Sequence, residues 1–162
     1  MTKWDNTFIE IAEKVANHST CLKHQVGAVI VKNKRILSTG YNGVVAGAMH
    51  CEDLYLKKPM DWHHSWSVEN EIHAEQNAIA YAAREGISIK DATIYVTLSP
   101  CLDCAKLIVA SGIIKVVYGG PNRQEKIDDG IKFFKEYQKI NPQFETLPIP
   151  YFPRFSCANK TL

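Results

Sequence analysis

Residues 92–119 read ATIYVTLSPCLDCAKLIVASGIIKVVYG, and this stretch decides the fold. ATIYVTL (92–98) and IIKVVYG (113–119) are β-branched, aromatic runs of strand length. Between them, CLDCAKLIVAS (101–111) reads as a helix, with Pro100 suited to its N-terminal end and Gly112 to its stop. Downstream, DDGIKFFKEYQKI predicts a last helix that packs Ile131, Phe134 and Tyr137, and a short edge strand is expected around Thr146. Upstream, a helix is expected from about Asn70 to Arg84, closed by Gly86. VGAVIV (26–31) and RILSTGY (35–41) form a hairpin across the polar turn KNK. Phe8, Ile11, Ala12 and Val15 give residues 5–17 helical spacing. Residues 42–69, with their glycines, Pro59 and the patch DWHHSW, read as irregular.

The order αββαβαβα(β) predicts an α/β fold, one sheet covered by helices on both faces. No repeat or linker divides the chain, so residues 1–162 are read as one domain, with 148–162 as a proline-rich tail docked on the surface. A chain of 162 residues, 46% apolar and 22% charged, can fill a single core. A net charge of +2 without a basic run does not suit an extended nucleic-acid partner. No apolar run is long enough for a bilayer, and MTKWDNTFIE has no apolar signal core. Five cysteines in such a chain point to metal binding or catalysis in a reducing, cytoplasmic setting.

The chemistry concentrates at two helix starts. Cys101 and Cys104 fall in the first turn after a strand, so both thiols can face one point beyond the helix N-terminus, where backbone N–H groups favour thiolates. In NEIHAEQNAI (70–79), His73 and Glu75 are two residues apart. In mid-helix they would project about 200° apart, so one site can use both only if it sits over the helix end. Two thiolates and the His73 imidazole make a three-ligand zinc site with an open fourth position, the catalytic pattern. Such a site carries no net charge and acidifies water weakly. Two helix N-termini and Glu75 as proton acceptor would offset that. Alone, CxxC also fits a thioredoxin-like redox pair, and HxE alone is an ordinary surface tripeptide.

HAE on one helix start and PCxxC on the next, with a strand between, resemble the cytidine deaminase superfamily. The resemblance implies a three-layer α/β/α sandwich with a five-stranded mixed sheet. It also implies hydrolytic deamination at zinc held by His73, Cys101 and Cys104, with Glu75 moving protons from water to the ring nitrogen and the leaving amine.

TGYNG (39–43), the long Asn42-to-His73 connection, HSWSVENEIHAEQNAIAYAAR (64–84) and SPCLDCAKLIVASGIIKVVY are similar to deoxycytidylate deaminases, phage enzymes above all. That likeness spans about residues 4–120. It implies dCMP as substrate, with Asn42 on sugar or phosphate, backbone near Ser99 on the base, and Tyr118 on base or ribose. It also implies a homohexamer, activated by dCTP and inhibited by dTTP, whose effector region includes Gly40, Tyr41, Asn42, Gly43, Tyr81 and Arg84. Carried over by position, a second, structural zinc would be held by Cys21, Cys51, His63 and Glu71, with His64 or His50 as alternative fourth ligands. Without the resemblance, YNG also suits a plain turn, Tyr118 a rim aromatic, Arg84 a helix C-terminus, and Cys21 and Cys51 buried free thiols. The rival functions are a tRNA adenosine deaminase, another cytosine nucleoside or nucleotide deaminase, and a non-catalytic zinc module. The tRNA enzymes lack the Cys/His-bearing connection, and a non-catalytic module has no use for Glu75. Lys3, Lys23, Arg35 and Arg123 are unranked candidates for the phosphate.

Overall fold

The computed structural model describes residues 1–55, 62–120 and 129–149. Arg123 and all but the first two residues of the 148–162 tail, with Cys157, which the sequence leads one to expect as a free thiol, lie outside them. The elements are α1 (Lys3–Ala16), β1 (Gly27–Lys32), β2 (Arg35–Tyr41), β3 (Gly43–Val44), α2 (Cys51–Tyr55), α3 (Trp62–Asn70) and β4 (Glu71–Ile72). They continue with α4 (Ala74–Arg84), β5 (Thr93–Val96), α5 (Leu102–Ala110), β6 (Lys115–Tyr118), α6 (Asp129–Ile140) and β7 (Glu145–Pro148).

A five-stranded sheet runs in the order β2-β1-β5-β6-β7. β1 is antiparallel to β2 and β5, whereas β5, β6 and β7 are mutually parallel, so the sheet is mixed. The hairpin turn places Asn33 and Lys34 at φ 51° and 61°, the left-handed pair that a two-residue connection of right-twisted strands requires. Side chains alternate between the two faces. Ala28, Ile30, Ile94, Val96, Val116 and Tyr118 join the core under α4, α5 and α6. Val29, Val31, Tyr95 and Val117 join Phe8, Ile9 and Ala12 of α1 on the other face. Helices therefore cover both faces, which is the expected three-layer sandwich. No helix among the described residues is long and apolar enough to cross a membrane.

Two glycines set how closely the layers approach. A Cβ on Gly27 would lie 2.0 Å from the Ala12 carbonyl oxygen in α1, and one on Gly40 would lie 2.3 Å from that of Ala74 in α4. Only a bare Cα lets both helices seat on the hairpin. The Ser38 hydroxyl, donating to the Ala78 carbonyl at 2.6 Å, and the Asn77 side chain, donating to the Tyr41 carbonyl at 2.8 Å, fasten α4 to β2.

The structure corrects two expectations. Residues 42–69 are not irregular throughout: they hold β3, α2 and α3, and β3 pairs with β4 as Gly43↔Ile72 and Val44↔Glu71. The helix expected from Asn70 begins at Ala74, because Glu71 and Ile72 are drawn into that ladder and His73 keeps an extended backbone at φ −70°, ψ 156°.

The start of α1 carries a buried carboxylate. Asp5 accepts from the Thr2 N–H at 2.7 Å, the Thr2 hydroxyl at 2.8 Å and the Tyr95 hydroxyl at 3.0 Å. Burial pushes its carboxyl up, but these hydrogen bonds outweigh burial and hold it below its ordinary 3.8. A depressed carboxylate stabilises the fold above its unfolded pKa, and that contribution is lost as pH falls through the lower folded value. The unfolding free energy should therefore drop just below pH 4, and Asp5→Asn should remove that component. Denaturant titrations of both proteins between pH 2 and 6 check this; parallel pH profiles would contradict it.

Candidate metal centres

Two helix N-termini converge on one point. β5 runs through Ser99 and the fully buried Pro100 to Cys101, which caps α5 with an extended backbone at φ −68°, ψ 171°. Cys104 follows within the first turn of α5 and is buried. His73 caps α4, its N–H held by the Gln76 side-chain carbonyl at 2.9 Å. His73 Nδ1 lies 3.5 Å from Cys101 Sγ and 3.4 Å from Cys104 Sγ. Ligand bonds of about 2.3 Å to sulfur and about 2.0–2.1 Å to nitrogen place such atoms about 3.6 Å apart around a tetrahedral ion. The spacing and the donor set both fit zinc. Because His73 is exposed and Cys101 half-buried, the group is open on one side.

Glu75 belongs to the same place. It sits in the first turn of α4, is 4% exposed, and lies beside the Cys104 sulfur. The backbone changes from extended at His73 to helical at Ala74, which removes the mid-helix angle between His73 and Glu75. Burial raises the Glu75 carboxyl above its ordinary value, the direction that suits a group both accepting and returning a proton.

The three donors lie close enough to shift one another's protonation. The Cys104 thiol donates to Cys101 and, with His73, holds the Cys101 thiol down at about 4. The same hydrogen bond and burial push Cys104 far up. The Cys101 thiolate raises His73 against the effect of burial. A cation bound here would displace those protons.

Cys21, Cys51, His63 and Glu71 form a second group, their donor atoms all within 4.8 Å of one another. Cys21 Sγ is 3.4 Å from His63 Nε2. Burial pushes Cys21 up to about 12, raises Cys51 and Glu71, and lowers His63. Every donor is thus driven towards its neutral form, a desolvation cost that a bound cation would offset. Three of the four are buried, so this group is closed where the first is open. His64 is exposed, and His50 Nδ1 is 2.9 Å from the Thr20 hydroxyl; neither joins the group.

The other candidate residues are more scattered. Ser99 and Tyr118 are buried, Tyr118 pairing with Val96 of β5 at the end of the sheet from which the chain leaves for Cys101. Asn42 is 6% exposed, and its carboxamide is bonded to the backbone at both ends. Gly40 lies beneath α4 and Gly43 in β3, whereas Tyr41 and Tyr81 are exposed. The Arg84 guanidinium stacks 5.2 Å from the Tyr81 ring centroid and pairs with Glu85 at 2.8 Å. Sequence reasoning missed the aromatic frame of the second group: the Trp62 and Trp66 rings lie 6.1 and 6.4 Å from the His63 ring. It also missed the Ser38 bond to α4. The small-residue sequence STG at the end of β2 was a readable sign of a helix seated closely there.

Residues 2–120 match the family described as the cytidine and deoxycytidylate deaminase zinc-binding region. The deoxycytidylate deaminase of Enterobacteria phage T2 is 44% identical to the chain, the match covering 70% of it and 78% of the phage protein. That of Mycobacterium phage D29 is 41% identical, covering 71% and 93% respectively. The crystal structure of the cyanophage S-TIM5 dCMP deaminase in complex with dCMP and dUMP superposes with a TM-score of 0.74. It is 30% identical, and the match covers 92% of this chain and 99% of that one.

Proposed function

The chain belongs to the cytidine and deoxycytidylate deaminase zinc-binding family, and from that premise we propose that it hydrolyses dCMP to dUMP and ammonia. The observation that carries this reading is the open His73, Cys101 and Cys104 group with the buried Glu75 carboxylate beside it. When bound there, zinc supplies Lewis acidity that lets water act as a nucleophile at neutral pH. The chain's residues do the rest. His73, Cys101 and Cys104 hold the ion, and the two helix N-termini add positive potential at the same point. Glu75 takes a proton from water, hands it to N3 of the cytosine ring, and then serves the departing amine at C4. Water supplies the oxygen at C4, and the amino group leaves as ammonia. Backbone at Ser99 and the ring of Tyr118 are proposed to hold the base.

The closed Cys21, Cys51, His63 and Glu71 group is proposed as a second, structural zinc site that fixes the connection beside the catalytic centre. By resemblance, the enzyme is proposed to be a single-domain subunit of a homohexamer, activated by dCTP and inhibited by dTTP. The exposed Tyr41, Tyr81 and Arg84 would belong to the effector region. The cytoplasm, that of the host for a phage-encoded protein, is the proposed place of action.

Ammonia release from dCMP, dCTP, deoxycytidine and a tRNA anticodon stem-loop, compared side by side, tests the substrate. The zinc-loaded protein should prefer dCMP over each of the others by at least about tenfold in kcat/KM, the equivalent of about 1.4 kcal/mol of transition-state discrimination. Preference for the stem-loop, or no ammonia from dCMP, would overturn the reading.

A further inference from the structure

Asn42 ties the chain just after Cys21 to the start of β3. The Asn42 side-chain carbonyl accepts from the Val26 N–H at 2.8 Å, and its amide N–H donates to the His24 carbonyl at 2.8 Å. The Asn42 backbone N–H donates to the Val26 carbonyl at 3.2 Å. Residue 42 is thereby stitched to residues 24–26, which follow the turn at Cys21. That turn wraps the Cys21 sulfur: the Lys23 and His24 N–H groups hydrogen-bond to it, and the Gln25 side chain donates to the Ser19 carbonyl at 3.1 Å.

One residue beyond Asn42 begins β3, whose partner is β4. Glu71 of β4 belongs to the second group, and one residue after β4 comes His73 of the first. A short path therefore runs from Cys21 through Asn42, across the β3–β4 pair, to Glu71 at one centre and His73 at the other. Each strand of that pair is only two residues long. So short a ladder is marginal by itself and holds its register only if its ends are anchored. The second group anchors β4 through Glu71, and Asn42 anchors β3.

We propose that Asn42 is a positioning residue that couples the two centres, so that metal held by Cys21, Cys51, His63 and Glu71 fixes where His73 and Glu75 stand. The proposal rests on reading both groups as zinc sites. Breaking the Asn42 bonds would free the Cys21 turn from β3 and let the β3–β4 register drift. The second metal would then leave faster, and the His73–Glu75 corner would lose its placement. Both effects act on kcat, whatever Asn42 does for the substrate.

The test uses the full-length, zinc-loaded protein and its Asn42→Ala and Asn42→Asp variants. Asp keeps an acceptor for Val26 but sets a carboxylate oxygen against the His24 carbonyl, whereas Ala removes both side-chain bonds without adding charge. Zinc content is measured first. Release to a chromogenic chelator is then followed together with tryptophan fluorescence, which reports the second group through Trp62 and Trp66. Asn42→Ala and Asn42→Asp should each speed the fluorescence-linked release phase at least tenfold and lower kcat for dCMP at least tenfold. A wild type with two zinc ions per chain, and variants that raise only KM with release unchanged, would overturn the coupling and leave the second site standing. A wild type with a single zinc would overturn the second-site reading, and the coupling with it. If Asn42→Ala does not fold, unchanged release and kcat in Asn42→Asp overturn the coupling on their own.

Discussion

Glu75→Gln should lower kcat for dCMP by about 10²–10⁴-fold, the range that a positioned proton carrier supplies, while zinc content stays at the wild-type level. The substitution keeps the volume and the hydrogen-bonding shape of the side chain but removes the group that can accept a proton. Glu75 is 4% exposed, and burial raises its carboxyl. A neutral amide therefore sits there without the desolvation cost that the charge carries, and the variant should fold at least as well as wild type. The loss should appear in kcat more than in KM, because the proton is needed in the transition state and not for binding dCMP. Metal analysis and initial rates on the same preparation check both halves. A zinc-loaded variant with wild-type turnover would remove Glu75 from the chemistry.

Cys104→Ser should have a comparably large effect by another route. Cys104 is fully buried in the first turn of α5, with His73 Nδ1 3.4 Å from its sulfur. A serine hydroxyl does not ionise as a thiolate does, so the site keeps two strong donors and loses its grip on zinc. Without the ion, water loses its Lewis-acid activation, and turnover should fall by at least about 10³-fold. The fold should survive, because Ala105 and Ile108 hold α5 in the core independently of the metal. Zinc content should drop by one ion per chain, with far-ultraviolet circular dichroism unchanged. Full zinc content together with full activity would contradict the assignment of this thiol.

Much of this was legible in the sequence for definite physical reasons. The strands that became β1, β2, β5 and β6 are apolar, β-branched runs, and the helices that became α1, α4, α5 and α6 either carry an apolar stripe or end at a glycine stop. The His73, Cys101 and Cys104 group was legible because helix starts that follow strands bring distant residues to one end of the sheet. What escaped was held by something other than periodic burial. α3, WHHSWSVEN, has no apolar stripe, and its buried residue is His63, so its placement comes from the second group and the Trp62 and Trp66 rings. β3 and β4 are too short to show alternation, and their pairing moved the start of α4 from Asn70 to Ala74. In the sequence Asn42 looked like a turn residue or a substrate contact. Its bonds to His24 and Val26 depend on a chain reversal that local pattern does not encode.

The most direct measurement of the central claim is dCMP turnover by protein stripped of metal with a chelator and then titrated with zinc. The stripped protein should form no dUMP. Turnover should recover as zinc is restored, with dUMP and ammonia formed in equal amounts. Wild-type conversion of dCMP by the metal-free protein, or no dUMP from the fully zinc-loaded protein, would contradict the claim.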